Sequence, residues 1–290
     1  MKIIEITYRY DGTDASVRPR PTDADGARAR LENGSRSIGT LLDDVADGTG
    51  VARRVMPVDP RDLGLAPGAP GAPAQRPYAA VLGCSDARVP IELIFNEGPN
   101  DLFVVRVAGN GLGAEVLGSL KYAVDHLGGS LKLIVVLGHS GCGTVSAAVD
   151  AFLKPRTYLE VAAKHGLRGI LDRLLIVVNA SAMGMAETFG TDVVHRSGYR
   201  AALIEAAVIF NAALAAYTLQ QEIGQDEPQA IRTAYGVYLL DARQVWAPRA
   251  GSSECAGLAY PPADPAAFGE LARTVVATER IARLLDGGPA

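Results

Sequence analysis

Three short runs most constrain what this chain can fold into: YAAVLG ending at Gly83, DLFVVRVAG ending at Gly109, and LKLIVVLG ending at Gly138. Each is β-branched or aliphatic almost throughout, with no regular alternation of apolar and polar residues. Strands buried on both faces have this look, so the runs predict a parallel sheet covered by helices on both sides. Between the second and third runs, GAEVLGSLKYAVDHLGG is amphipathic at helical spacing and stops at Gly128-Gly129. TVSAAVDAFLK follows the third run as another helix, and a long helical section extends from about 157 to 224. AIRTAYGVYLLDARQVWAP then reads as two strands turning at Asp241-Ala242. Asp264-Pro265 is an N-cap followed by proline at the first helical position, opening one last helix through AAFGELARTVVATERIARLL. The expectation is an α/β fold with a mainly parallel central sheet of four to five strands flanked by helices.

The first seventy or so residues are patchier. One helical pattern there, ARARLENGSRSIGTLLDDVADGTG, breaks at glycine, and LGLAPGAPGAPAQRP reads as an extended linker. Residues 1–71 are therefore expected to form an N-terminal helical arm without a core of its own. The α/β core should occupy 72–248, with a helical insertion around 157–200, and a C-terminal loop and helix 249–290. With 290 residues, 48% of them hydrophobic and 21% charged, a sizeable core is within reach. A formal net charge of −4 with no run of one sign argues against nucleic acid as a partner. No unbroken apolar run nears the roughly 20 residues of a membrane helix, and MKIIEITYRYDG has no signal-like apolar region. Three cysteines do not make a disulfide framework, so the expected location is the cytoplasm.

Those cysteines matter for another reason. Cys84 is the first residue past the first run, and His139 is the first past the third. In an open parallel sheet, ligands bind in the crevice beyond the carboxyl ends of the strands. Cys142 follows His139 by three residues, in HSGC at the mouth of the next helix. Two thiolates and an imidazole make a three-ligand zinc set, which leaves a fourth position open for chemistry. Taken singly, each cysteine reads more simply as a small buried hydrophobe; the pairing with His139 weighs against that. Cys255, in a polar loop, has no partner in sequence. Asp86 and Arg88 follow Cys84 on the same loop. A carboxylate there can take the open metal position or accept a hydrogen bond from the attacking group, with Arg88 holding it in the second case.

Competing motifs are weaker. Gly109, Gly111 and Ala114 match a dinucleotide fingerprint, but the next strand ends in VVLGHSGC, without the acid that holds a ribose. The glycines more simply let the chain pass close to the metal crevice. His126 reads as a helix-end cation, and His165 and His195 as solvated.

CSDAR followed by HSGC resembles the β-class carbonic anhydrases, whose pattern is Cys-x-Asp-x-Arg and then His-x-x-Cys some fifty residues on. The resemblance extends through QRPYAAVLGCSDARVPIELIFNEGPNDLFVVRVAGN and, more loosely, to ARLENGSRS upstream. It implies that Cys84, His139 and Cys142 bind zinc. It also implies that Asp86 and Arg88 form a catalytic dyad, with Asp86 able to become a fourth ligand in a closed form. Gln75, Phe103, Ala108 and Tyr122 match positions that contact substrate or line the pocket, and Gly143 opens the helix whose N–H groups face the site. Val107 stands where an asparagine is frequent. The implied activity is reversible hydration of carbon dioxide to bicarbonate. Hydrolysis of carbon disulfide or carbonyl sulfide on the same scaffold, or a catalytically silent zinc-holding regulator, are the rivals. The family is built from dimers with sites at the subunit interface, so a homodimer or dimer of dimers is expected, its arm wrapping a partner subunit.

Overall fold

The computed structural model describes residues 3–10, 19–47, 51–64, 71–162, 165–223, 231–248 and 255–288. Its main sheet is built on the three predicted runs: β3 (Ala79–Gly83), β4 (Leu102–Arg106) and β5 (Leu133–His139). Two earlier strands, β1 (Ile3–Tyr10) and β2 (Val51–Val58), pair with each other in parallel and stay apart from it. The main sheet continues through β6 (Arg232–Leu239), β7 (Gln244–Pro248) and the two-residue β8 (Cys255–Ala256), in the order β4-β3-β5-β6-β7-β8. Its first four strands run parallel, and the last two pair antiparallel. The sheet therefore has six strands where four to five were expected. The extra one is β8, too short to leave a sequence signal.

The unbroken apolar character of β3 and β5 follows from their surroundings. Ala80, Leu82, Ile134 and Val136 face one core, and Ala79, Val81, Leu133, Val135 and Leu137 face a second. Helices cover both. On the second face lie α1 (Ala24–Asp47), with Ala27 and Leu31 fully buried, and the short α2 (Ile91–Phe95). The N-terminal helix thus shares the core of its own chain. On this face Gly34 is a requirement of close approach, since a Cβ there would fall 1.8 Å from the carbonyl oxygen of Phe95. β1 and β2 flank α1 as a parallel pair with that helix as their crossover, an arrangement the sequence reading missed.

The first face holds most of the helices: α4 (Gly143–Leu153), α6 (His165–Phe189), α7 (Tyr199–Ile223), α8 (Pro265–Val276) and α9 (Glu279–Leu285). Two more complete the order, α3 (Ala114–Leu127) between β4 and β5, and α5 (Pro155–Ala162) between α4 and α6. The predicted last helix is really α8 and α9. Asp264 caps α8 by accepting from the Ala267 N–H at 2.8 Å, as expected, but Thr278 ends the run by capping α9 through Ile281. Two helices, Gly166–Phe189 and Tyr199–Ile223, are long and apolar enough to cross a membrane by length and composition, unlike any unbroken run in the sequence. In the second, 83% of the apolar window is buried inside the molecule, which makes α7 a core helix.

Candidate metal centre and dyad

Cys84, His139 and Cys142 converge. Their ligand atoms all lie within 4.8 Å of one another, and all three residues are buried. The fold produces this because β3 and β5 are parallel neighbours with Gly83 level with Leu137, so their carboxyl ends open into one crevice. Gly141, at φ +61, turns the chain back from His139 so that Cys142 returns to the same point at the N-cap of α4. The His139 ring is oriented by its Nδ1, 3.0 Å from the Ser140 carbonyl, which can only accept. Nδ1 therefore carries the proton and Nε2 keeps its lone pair. That Nε2 is fully buried and has no hydrogen-bond partner among the described residues.

The thiols are poised unequally. The Cys142 S–H beside it holds the Cys84 thiol well below the ordinary thiol range, helped by the backbone N–H groups of Asp86 and Gly109 and opposed by burial. The same pairing, together with burial, pushes Cys142 up. Gly109, at φ +64 in the 3-10 turn 108–110, donates its N–H to the Cys84 sulfur at 3.3 Å. The glycine-rich stretch after β4 therefore serves the crevice, as expected in place of the dinucleotide reading.

Asp86 and Arg88 border the cluster. Arg88 grips both carboxylate oxygens, Nε to Oδ1 at 3.0 Å and one terminal nitrogen to Oδ2 at 2.7 Å, and its backbone N–H adds a third bond at 2.9 Å. These bonds hold the Asp86 carboxyl well below the usual range. Oδ2 also lies 3.8 Å from His139 Nε2, so one carboxylate oxygen faces both the arginine and the metal position. The loop itself is braced by Arg106, which donates to the carbonyls of Cys84 at 3.0 Å and Asp86 at 2.5 Å. Sequence reasoning missed Arg106. Its position at the end of β4, level with Gly83, was the available signal.

The donor set fits zinc: two sulfurs, one imidazole lone pair that is buried without a partner, and carboxylate oxygen at the rim. The predicted pocket residues divide into two groups. Ala108 and Gly143 adjoin the cluster in sequence and sit in the turn beside Cys84 and at the start of α4. Gln75 and Phe103 instead share a cleft of about 370 Å³ along the free edge of β4. Phe103 is in register with Ala80, four residues short of Cys84, or about 13 Å along the strand. Gln75 lies further back still, before β3 begins. Tyr122 is exposed on α3 and stacks on His126 at 4.4 Å.

The family model for carbonic anhydrase matches residues 79–208, a little under half of the chain. Carbonic anhydrase 2 of Mycobacterium tuberculosis is 51% identical over 80 residues, which are 28% of this chain and 38% of that protein. The carbonic anhydrase of Mycolicibacterium smegmatis is 53% identical over 78 residues, 27% of this chain and 37% of that protein. The chain thus spans a little over a third of the length of the curated relatives it matches. Among solved structures, the β-carbonic anhydrase CcaA aligns with a TM-score of 0.42 at 24% identity, over 60% of this chain and 80% of its own. A Coccomyxa β-carbonic anhydrase in complex with acetazolamide gives 0.43 at 22%, over 59% and 72%. The sequence match contains the cysteine–histidine cluster and the dyad whole: residues 79–208 are similar to the carbonic anhydrase family.

Proposed function

We propose that the chain catalyses the reversible hydration of carbon dioxide, using one zinc ion held by Cys84, His139 and Cys142. The observation that carries this is the position of the Asp86 carboxylate, gripped by Arg88 on one side and 3.8 Å from His139 Nε2 on the other. When bound, zinc supplies Lewis acidity, bringing the deprotonation of water close to neutral pH. The protein's part is orientation. Asp86 stays ionised, so it accepts a hydrogen bond from the attacking oxygen and aims a lone pair toward the carbon. Arg88 keeps Asp86 at the rim and out of the metal position. Ala108 contributes an apolar wall, which suits an uncharged, linear substrate. The first turn of α4 favours the anionic product.

Gln75 and Phe103 lie back from this crevice in their own chain, along the β4 cleft, and Tyr122 is exposed on α3. If they line the pocket, as the family resemblance implies, they come from a second copy, and we propose a homodimer as the working form. The reading also calls for a reducing compartment such as the cytoplasm, because a disulfide between Cys84 and Cys142 would remove two ligands at once.

The test is stopped-flow hydration of carbon dioxide by the purified, zinc-loaded protein and its Asp86→Asn variant. The variant should keep its zinc and lose at least about 100-fold in rate. Parental turnover in Asp86→Asn would refute the dyad's role. Turnover of carbon disulfide or carbonyl sulfide in place of carbon dioxide would change the substrate. Zinc binding with no turnover of any of the three would make the chain a zinc-holding regulator.

A further inference from the structure

We infer that Asn211, in the middle of α7, is a positioning residue for the metal centre: its side-chain amide fixes Gly109 so that the Gly109 N–H donates to the Cys84 sulfur. The inference rests on the reading of Cys84 as a metal ligand. From Ala202 to Ala216, α7 is apolar except at Glu205 and Asn211. Glu205 is accounted for by its ion pair with Arg280 at 2.7 Å. Asparagine is a middling helix former, and an amide among apolar neighbours costs free energy unless it is hydrogen-bonded. Asn211 makes one such bond that reaches far in sequence, Nδ2 to the Gly109 carbonyl at 2.9 Å.

Gly109 needs holding. It sits in the left-handed region at φ +64, where no side chain helps to fix it. The space around it is tight, since a Cβ there would lie 3.2 Å from Thr144 in the first turn of α4 and 3.5 Å from Leu174 of α6. Its carbonyl faces Asn211 and its N–H faces the Cys84 sulfur at 3.3 Å. One turn earlier on the same side of α7, Val208 packs against Gly138, the residue before His139, where a Cβ would approach its side chain to 3.1 Å. One helix face therefore sets both the strand end that carries the histidine and the turn that donates to the cysteine.

An N–H donated to a thiolate draws electron density from sulfur and weakens its donation to a metal. Removing Asn211 frees Gly109 to change its φ and ψ, so the 108–109 peptide that carries the N–H loses its aim, the sulfur becomes the stronger donor and the site the less rigid. The test uses the full chain with cobalt(II) in place of zinc, comparing the parent with Asn211→Leu and Asn211→Ala. Alanine adds no bulk, so it keeps the comparison open where leucine disturbs α7. In the variants the sulfur-to-cobalt charge-transfer band should move to longer wavelength at unchanged intensity. Amide hydrogen exchange at 108–110 should quicken, and zinc should pass to a chelator roughly 10-fold faster. A merely structural role would not move the band. Variants that fold and show the parental band and exchange rate overturn the proposal. A parent with no sulfur-to-cobalt band overturns the ligand assignment itself, and the proposal with it.

Discussion

His139 shows how one side chain can carry two commitments. Its Nδ1 is spent on the Ser140 carbonyl, and Ser140 is itself tied to the end of β6, its N–H to the Tyr238 carbonyl at 3.0 Å and its Oγ accepting from the Leu240 N–H at 2.9 Å. The ring therefore cannot turn to satisfy Nε2, and a buried polar atom left without a partner costs about 1–3 kcal/mol. Binding a cation returns that cost, which couples the metal to the stability of the β5–α4 junction. Cys142 is the ligand that closes the set, and Cys142→Ser should lose most of its zinc while keeping its fold. Elemental analysis after dialysis checks this, with one zinc per chain expected in the parent. Full zinc retention in the serine variant would mean that the ion is held elsewhere. These three ligands, and the dyad beside them, were legible in the sequence because each sits within five residues of a glycine-ended run. Asn211 was not. It acts on Gly109, 102 positions away, and its apolar neighbours on α7 mark it as unusual without naming that partner.

The decisive element is α7 laid across β5. Gly138 is what lets it lie there: a Cβ would meet the Val208 side chain at 3.1 Å and its carbonyl oxygen at 3.4 Å, and the backbone half of that contact cannot move aside cheaply. Gly138→Ala should therefore force α7 outward and cost about 1–3 kcal/mol by overpacking. The change should also weaken zinc retention, because His139 is the next residue. Urea unfolding and metal content measured on the same sample check both parts, and an unchanged midpoint would show that the helix yields without strain. The parallel strands of this element set were readable from their unbroken apolar runs, and α7 was foreseen only as part of a long helical section. The pairing of β1 with β2 was out of reach. Their residues 3 and 51 meet across an intervening helix, and parallel pairing over such a separation leaves no local mark. β8 failed to show for a simpler reason, being two residues long.

At the scale of the whole molecule, the question is what keeps the N-terminal helix on the sheet. Apolar contact supplies part of it, through Ala27 and Leu31. The specific part is Arg30, which reaches from α1 to Glu97 in the loop after α2. Glu97 is fully buried, and Arg30 meets it with Nε to Oε1 at 3.0 Å and a second contact at 2.5 Å. Arg30 also lies over the Tyr78 ring, 4.5 Å from its centroid, and 3.3 Å from Asp101. The pairing holds the guanidinium well above its ordinary pKa despite burial, so the charge is permanent. A buried ion pair often contributes little net stability, since desolvation offsets attraction, but removing one member takes the counter-charge from the other in low dielectric. Arg30→Met should thus cost about 3–5 kcal/mol. Replacing both members, Arg30→Met with Glu97→Leu, should recover most of that loss. The two changes together define a double-mutant cycle in urea, with the β3–β5 crevice monitored separately by metal content. If the single variant costs no more than the double, α1 is held by its apolar face alone. If zinc is lost in step with stability, the helix and the metal crevice fold as one unit, and the N-terminal helix is then as much a part of the site's support as the strands that carry the ligands.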